Sequence, residues 1–254
     1  MQNSFSIRML AIVAAGISIV LSPGQAISAT DIGKTESVVG AVQGLLDGAK
    51  RQISRNDAVF SDETLSTGKA STSHVIFKDD TFLQIGPDAE LTLDSLVYDP
   101  SDAMMQEMVL NLTKGTFRFI SGKMEKTAYK INVPGGHIGI RGTVVLIDMK
   151  PDDRLLIAVE EGSIVLTLDD GSTIIEVPEG AALRISLTGG GPPVELGLGA
   201  PEVAEMIAQM SASNLMGEWR PFNYRVVWSG WGNESGDLSD KIDKSQSVYE
   251  EGCE

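Results

Sequence analysis

YKINVPGGHIGIRGTVVLIDM, residues 129–149, is the stretch whose reading decides the fold class. It joins two β-type apolar runs through a glycine-rich turn that carries Arg141-Gly142-Thr143. Val144-Val145-Leu146-Ile147 is apolar at every position, as expected of a strand covered on both faces, and belongs near the centre of a core. Outward from it, short runs rich in Val, Ile, Thr, Phe and Leu are broken every eight to twelve residues by Gly, Pro, Asn or Asp. That pattern is all-β. Met108, Leu110 and Leu112 alternate with Val109 and Asn111, and Phe117 and Phe119 flank Arg118, so one face is buried there. Val75 to Leu91 and Val165 to Leu183 echo each other around Asp79-Asp80 and Asp169-Asp170-Gly171, and each reads as a β-hairpin. Asp170-Gly171 suits a tight turn with positive φ. An antiparallel sandwich, a roll and a short β-solenoid all satisfy this pattern.

Serial order adds a resemblance. HVIFKDDTFLQIGPDAELTL at 74–93, NLTKGTFRFISGK at 111–123, the stretch at 129–149, LLIAVEEGSIVL at 155–166 and VPEGAALRI at 177–185 together resemble the FecR-like periplasmic domain, over Val38 to Leu187. The resemblance implies an exported module that senses or relays signals in the bacterial envelope. Asp80 stands where that family usually has Gly, which predicts a looser first hairpin. Some FecR-like signalling proteins cleave themselves at a Gly-Thr peptide, and Gly142-Thr143 matches those residues. The competing reading is that Gly142 allows a bulge and Thr143 opens a buried strand. Only eight residues precede the first apolar run, which leaves no room for the cytoplasmic sigma-factor-controlling segment of well-known members. Iron regulation is therefore not implied.

The N-terminus fits a secretory signal peptide over 1–29: a short head with Arg8, an apolar run from Met9 to Leu21, and a small-residue exit ending at Ala29. The run is too short to span a bilayer, so no membrane insertion is expected after cleavage. Cys253 is the single cysteine, so no internal disulfide can form and the core must hold an exported chain alone. The net charge of −15 becomes −16 once Arg8 is removed, because the signal segment contains no acidic residue. Such a surface repels polyanions, and nucleic acid is excluded as a partner.

Residues 30–187 are read as the β-domain and the Gly/Pro-rich stretch 188–200 as a linker. One amphipathic helix is expected from Pro201 to Met216, with Val203, Met206, Ile207, Met210 and Leu215 near helical spacing and Gly217 beyond its end. An aromatic segment to residue 232 follows, holding Trp219, Phe222, Tyr224, Trp228 and Trp231. Two readings stand for it: a flap folded back on the β-domain, or an exposed surface for an envelope protein or a glycan. Residues 233–254, with seven acids against two lysines, read as an irregular acidic tail.

Catalytic chemistry is thinly supplied. His74 reads as an ordinary strand residue. His137 and Arg141 sit among glycines that could present backbone N–H groups to an anion or partner, yet the segment lacks a Gly-Lys-Ser/Thr ending. Two isolated histidines and a terminal cysteine do not make a zinc set, and the acidic loops at 99–102 and 237–243 lack the pattern of a calcium loop. Glu160-Glu161-Gly162 reads as a hairpin turn, since adjacent strand positions diverge. A non-enzymatic binding or scaffolding module with no cofactor and no metal is the expectation, with an accessory sensor contacting an outer-membrane receptor as the alternative.

Overall fold

A computed structural model of the chain describes residues 29–101, 106–150, 153–187 and 191–214, the last four without their side chains. Residues 1–28 of the segment expected as a signal peptide, the aromatic segment, the stretch expected as an acidic tail, and Cys253 lie outside the described residues.

Among the described residues seventeen strands and one α-helix follow in order. The first nine are β1 (Asp31–Val39), β2 (Val42–Leu46), β3 (Ala49–Gln52), β4 (Ala58–Phe60), β5 (Glu63–Thr67), β6 (Thr72–Phe77), β7 (Phe82–Ile85), β8 (Glu90–Val97) and β9 (Glu107–Ile120). Then come β10 (Tyr129–Val133), β11 (Gly136–Ile140), β12 (Val144–Met149), β13 (Arg154–Glu161), β14 (Ser163–Leu168), β15 (Ile174–Pro178), β16 (Ala181–Ser186), β17 (Val194–Gly197) and α1 (Pro201–Asn214).

They form two layers that share one strand. The first runs β4–β1–β6–β7–β9–β12–β13–β16–β17. The second runs β3–β2–β5–β8–β9–β10–β11–β14–β15. All these pairs are antiparallel except β9 with β10. Residues 107–114 of β9 serve the second layer and Gly115 to Ile120 the first. After β9, pairs of strands alternate between layers, which makes the molecule a sandwich-like roll. The inward rows of both layers, among them Val75, Leu83, Phe117, Phe119, Val145, Ile147, Ile157 and Leu183 from the first and Leu91, Leu110, Ile131, Ile138 and Leu166 from the second, form one core.

Gly115 marks the passage between layers. Its φ is +99°, and a Cβ there would stand 2.4 Å from the Cβ and 2.5 Å from the Cα of Ala89. Only glycine combines this backbone with so close an approach. Elsewhere Asp47, Asn56, Asp62, Asp80, Asp88 and Asp153 all have positive φ. Their short polar side chains tolerate that region, so part of the acidic composition is turn chemistry.

The stretch 129–149 holds three strands rather than two. Pro134-Gly135 closes the β10–β11 hairpin, with Gly135 at φ +83°, and Arg141 to Thr143 then carries the chain to the other layer. Gly136 and Gly139 suggest a loop, but Ile138 and Ile140 are buried on one face of β11, and a Cβ on Gly136 would lie 2.5 Å from the Thr167 carbonyl oxygen of β14. Glycine there permits close packing. Glu161 to Ser163 is likewise no hairpin turn: β13 and β14 lie in different layers, and Gly162 at φ +78° is a corner.

Both echoed segments are hairpins, in opposite layers. The first is not the looser one. Phe77 N–H donates to the Thr81 carbonyl across three residues, with Asp80 itself at φ +64°, whereas Leu168 N–H donates to Thr173 across four. Hydrogen bonds from the Thr173 hydroxyl and from the Thr173 and Ser172 backbone hold the Asp170 carboxyl in that second turn down at about 2.

Val144 to Ile147 is covered on both sides. Val145 and Ile147 enter the main core, and Leu146 faces α1. The helix closes the outer face of the first layer by placing Val203, Met206 and Met210 on Leu146, Leu156, Ala158 and Ala182. Glu202 fastens its first turn to Arg184 at 2.8 Å, and Gln84 donates to the Met210 carbonyl at 2.7 Å. Within the stretch expected as a linker, Val194–Gly197 forms β17 on β16.

Candidate functional site

The sequence-derived candidates fall in three places. Gly142 and Thr143 occupy a double corner, where the chain crosses from β11 to β12 directly beside its return crossing at Gly162. A Cβ on Gly162 would lie 1.8 Å from the Gly142 carbonyl oxygen, so the corner at 162 requires glycine for the two crossings to touch, while the corner at 142 calls for it through a φ of +68°. The Thr143 N–H donates to the Ser121 hydroxyl at 3.0 Å, and its carbonyl accepts from Ser121 N–H at 3.1 Å. Thr143 is 3% exposed, and its hydroxyl has no hydrogen-bond partner among the described residues. Gly142 at φ +68° supplies the backbone distortion that a threonine attack on the preceding carbonyl would use, but no described basic side chain bonds the hydroxyl to take its proton.

His137 is half-buried on the outer face of the second layer. The register sets it in one row with Thr64, Thr92, Asn111, Asn132 and Thr167. Hydrogen bonds join neighbours in this row: Thr64 and Thr92 hydroxyls are 2.9 Å apart, and the Asn132 amide donates to Asn111 at 2.6 Å. At neighbouring strands about 4.8 Å apart, such a row is a polar ladder. Arg141 does not join His137. Its exposed guanidinium reaches Glu176 of β15 at 3.5 Å. Because β11 is paired on both sides, with β10 and with β14, its N–H groups are committed to ladders and build no anion nest.

Trp219, Phe222, Tyr224, Trp228 and Trp231 lie outside the described residues.

Two features escaped the sequence reading. One is a buried polar staple: Tyr129 donates to the Asp79 carboxylate at 2.8 Å and accepts from Met124 N–H at 3.0 Å, while Thr81 Oγ1 accepts from Gly122 N–H at 3.0 Å and itself bonds Asp79. Burial, chiefly, pushes the Tyr129 hydroxyl well above its usual range. The staple ties the first hairpin to the exit of β9. Asp79 and Tyr129 are fifty residues apart, so no local pattern announces it.

The other is the open C-terminal end of the roll. There β15 and β17 are the edge strands, and between the layers lies a groove of about 480 Å³ lined by Ile175, Val177, Leu183 and Leu196 with Glu176 and Glu195. Ile174 is 66% exposed and Val194 37%. The opposite end is closed: β3 carries Lys50 and Arg51, and Arg51 forms a two-pronged ion pair with buried Glu63 at 2.7 and 2.9 Å. Charged edges resist stray strand pairing, and the C-terminal edge lacks that protection on Ile174.

His74 is buried edge-on to Phe82 at 5.4 Å, and burial pushes its pKa down to about 4. Among the described residues no three His, Cys, Asp or Glu side chains group closely enough to hold a metal ion. No described helix is long and apolar enough to cross a membrane.

No curated protein matches the chain. Two solved structures provisionally described as an anti-sigma factor from Parabacteroides distasonis ATCC 8503 are similar to it, each at 10% identity and a TM-score of 0.45. The alignments cover 57% and 73% of this chain, and this chain spans 63% and 91% of theirs. The family model described as FecR protein matches residues 63–165, which run from the first residue of β5 into β14. That match falls within the span, Val38 to Leu187, whose order of motifs resembles the same family.

Proposed function

We propose that the chain is an exported, non-enzymatic β-domain that takes part in signal transduction by binding another protein of the bacterial envelope. The observation that carries this reading is the open C-terminal end of the roll, where an apolar groove and a large exposed apolar side chain adjoin two strand edges that no other described strand pairs. An exposed apolar edge is costly in an isolated soluble domain and is used where a partner covers it. The FecR match adds a regulatory family setting. The interior, with its polar staple and ion pair, offers rigidity rather than a reaction centre.

The test is site-specific photocrosslinking in cells, with the photoreactive residue placed at Ile174 or, at the closed end, at Lys50. Covalent capture of a defined envelope protein from position 174 and not from position 50 is expected. Equal capture at both, or none at 174, would remove the reading. Repeating the experiment without Pro201 to Glu254 asks whether the helix and the aromatic segment contribute to the same contact.

A second reading has its own observation. The polar ladder through Asn111, Asn132 and His137 on the outer face of the second layer offers regularly spaced donors and acceptors suited to a glycan. Binding of envelope polysaccharide that Asn132→Ala weakens at least fivefold would support it, and unchanged binding would reject it.

A further inference from the structure

We propose that the open end of the roll takes an extended segment of a partner protein whose residues alternate apolar and basic, added as a strand beside β15. This rests on the partner-binding reading and names the chemistry of the partner.

Backbone geometry comes first. The Leu168 N–H donates to the Thr173 carbonyl at 3.0 Å, which fixes the phase of the β14–β15 ladder. In an antiparallel pair every second residue bonds its neighbour, so Ile175 opposite Leu166 and Val177 opposite Ile164 turn their N–H and C=O groups toward β14. Ile174 and Glu176 turn theirs outward. Among the described residues, β15 has a registered ladder with β14 alone. The edge thus presents N–H groups at Ile174 and Glu176 to an incoming strand, and Pro178, which has no N–H, limits the template at its far end.

Side-chain chemistry then selects the strand. Alternate residues of an added strand point to opposite faces. One set would enter the groove against Ile175, Val177 and Leu183, and apolar side chains fit there. Among the described residues the only charged ones lining the groove are Glu176 and Glu195, both acidic, on a chain of net charge −15. Lysine or arginine in the outward set of the partner strand would meet Glu176, which exchanges its 3.5 Å contact to Arg141 for one across the interface, while exposed Glu195, opposite Leu183, adds its charge at the rim of the groove. A second copy of this chain is the poorer occupant, because two β15 strands paired about their centres would set like carboxylates against each other.

The purified full chain is titrated into a fluorescent ten-residue peptide alternating valine and lysine, with a valine–glutamate peptide as comparison. The first is expected to bind at least tenfold more tightly. Ile174→Pro, which removes one outward N–H without touching a bond to β14, should weaken it at least fivefold. The pair Glu176→Lys and Glu195→Lys should weaken it at least tenfold, while Glu205→Lys on α1 should not. Circular dichroism confirms folding of each variant.

If the groove variants bind as the natural chain does, or Glu205→Lys weakens binding as strongly as they do, the attraction is diffuse and the inference falls. A dimer in sedimentation that Ile174→Pro dissolves would give the edge to a second copy and overturn it. If the peptides fail while crosslinking from position 174 still captures a protein, this inference falls and the partner-binding reading stands.

Discussion

Gly115→Ala tests the passage of β9 between layers. A methyl at that position would stand 2.4 Å from the Ala89 Cβ and 2.5 Å from its Cα, against an ordinary carbon–carbon separation of about 3.5–4.0 Å. About an ångström or more of backbone movement is needed, since the Ala89 backbone cannot rotate away as a side chain would. Such overpacking costs about 1–3 kcal/mol. The φ of +99° adds about 1–3 kcal/mol for a residue with a Cβ. The reduced freedom of the unfolded chain returns about 0.4–1 kcal/mol. The expected net loss is roughly 1–5.6 kcal/mol, set against the roughly 5–15 kcal/mol typical of a domain. Gly171→Ala supplies the comparison: its φ is +69°, but nothing lies within 4 Å of the added carbon, so only the strain of about 1–2 kcal/mol applies. Urea unfolding of both variants, read as midpoints at constant slope, separates strain from collision. In the Gly115→Ala background, Ala89→Gly should recover only part of the loss, because the new methyl still collides with the backbone of residue 89. Equal losses at 115 and 171, or full rescue by Ala89→Gly, would refute the close crossing of layers.

Three further outcomes follow from the interior. His74 is held neutral by burial, with its pKa down to about 4 against an unfolded value of about 6.5. The unfolded chain takes up the proton first, so stability is full above about pH 6.5, declines as pH falls, and has lost its largest increment, on the order of 3 kcal/mol, below about pH 4; His74→Phe should flatten that part of the stability curve, and an unchanged slope would contradict the assignment. Tyr129→Phe removes two buried hydrogen bonds around Asp79 and should cost about 1–3 kcal/mol in the same urea assay; a loss below about 0.5 kcal/mol would mean that the staple adds nothing. Intact mass of the purified protein should show one chain uncut at Gly142-Thr143, because no described residue bonds the Thr143 hydroxyl to activate it; two fragments meeting there, absent in Thr143→Ala, would reverse this.

The sequence made local periodicity legible and long-range pairing obscure. Alternation at 108–112 and 117–119 marks the two halves of β9 correctly, yet nothing local says that they serve different layers, because Gly115 resembles any loop glycine until its distance to Ala89 is known. Gly136 and Gly139 look like strand breakers for the same reason: a close neighbour, not a turn, calls for glycine at 136. Gly162 misleads in the opposite sense, since a hairpin and a corner between layers both accept positive φ. The helix is legible because its apolar spacing and terminal signals are confined to one segment. At the candidate sites, His137 and Arg141 are neighbours in sequence, but a strand and a corner send one to the polar ladder and the other to Glu176. The groove depends on β15, β16 and β17 ending together, a property of topology that no single run of residues carries.

The shared strand has a consequence for how the molecule fails. β9 pairs with β7 and β8 from the preceding part of the chain and with β10 and β12 from the part that follows. Neither half can be melted away while leaving the other with all its ladder bonds, because each counts this strand among its own. Loss of order that starts at the open end can stay local through β15 to β17, but once it reaches β12 it removes a neighbour from the strand that the first half also needs. The seam therefore acts as a fuse: peripheral hairpins can fray reversibly, and beyond it the roll comes apart as one cooperative unit.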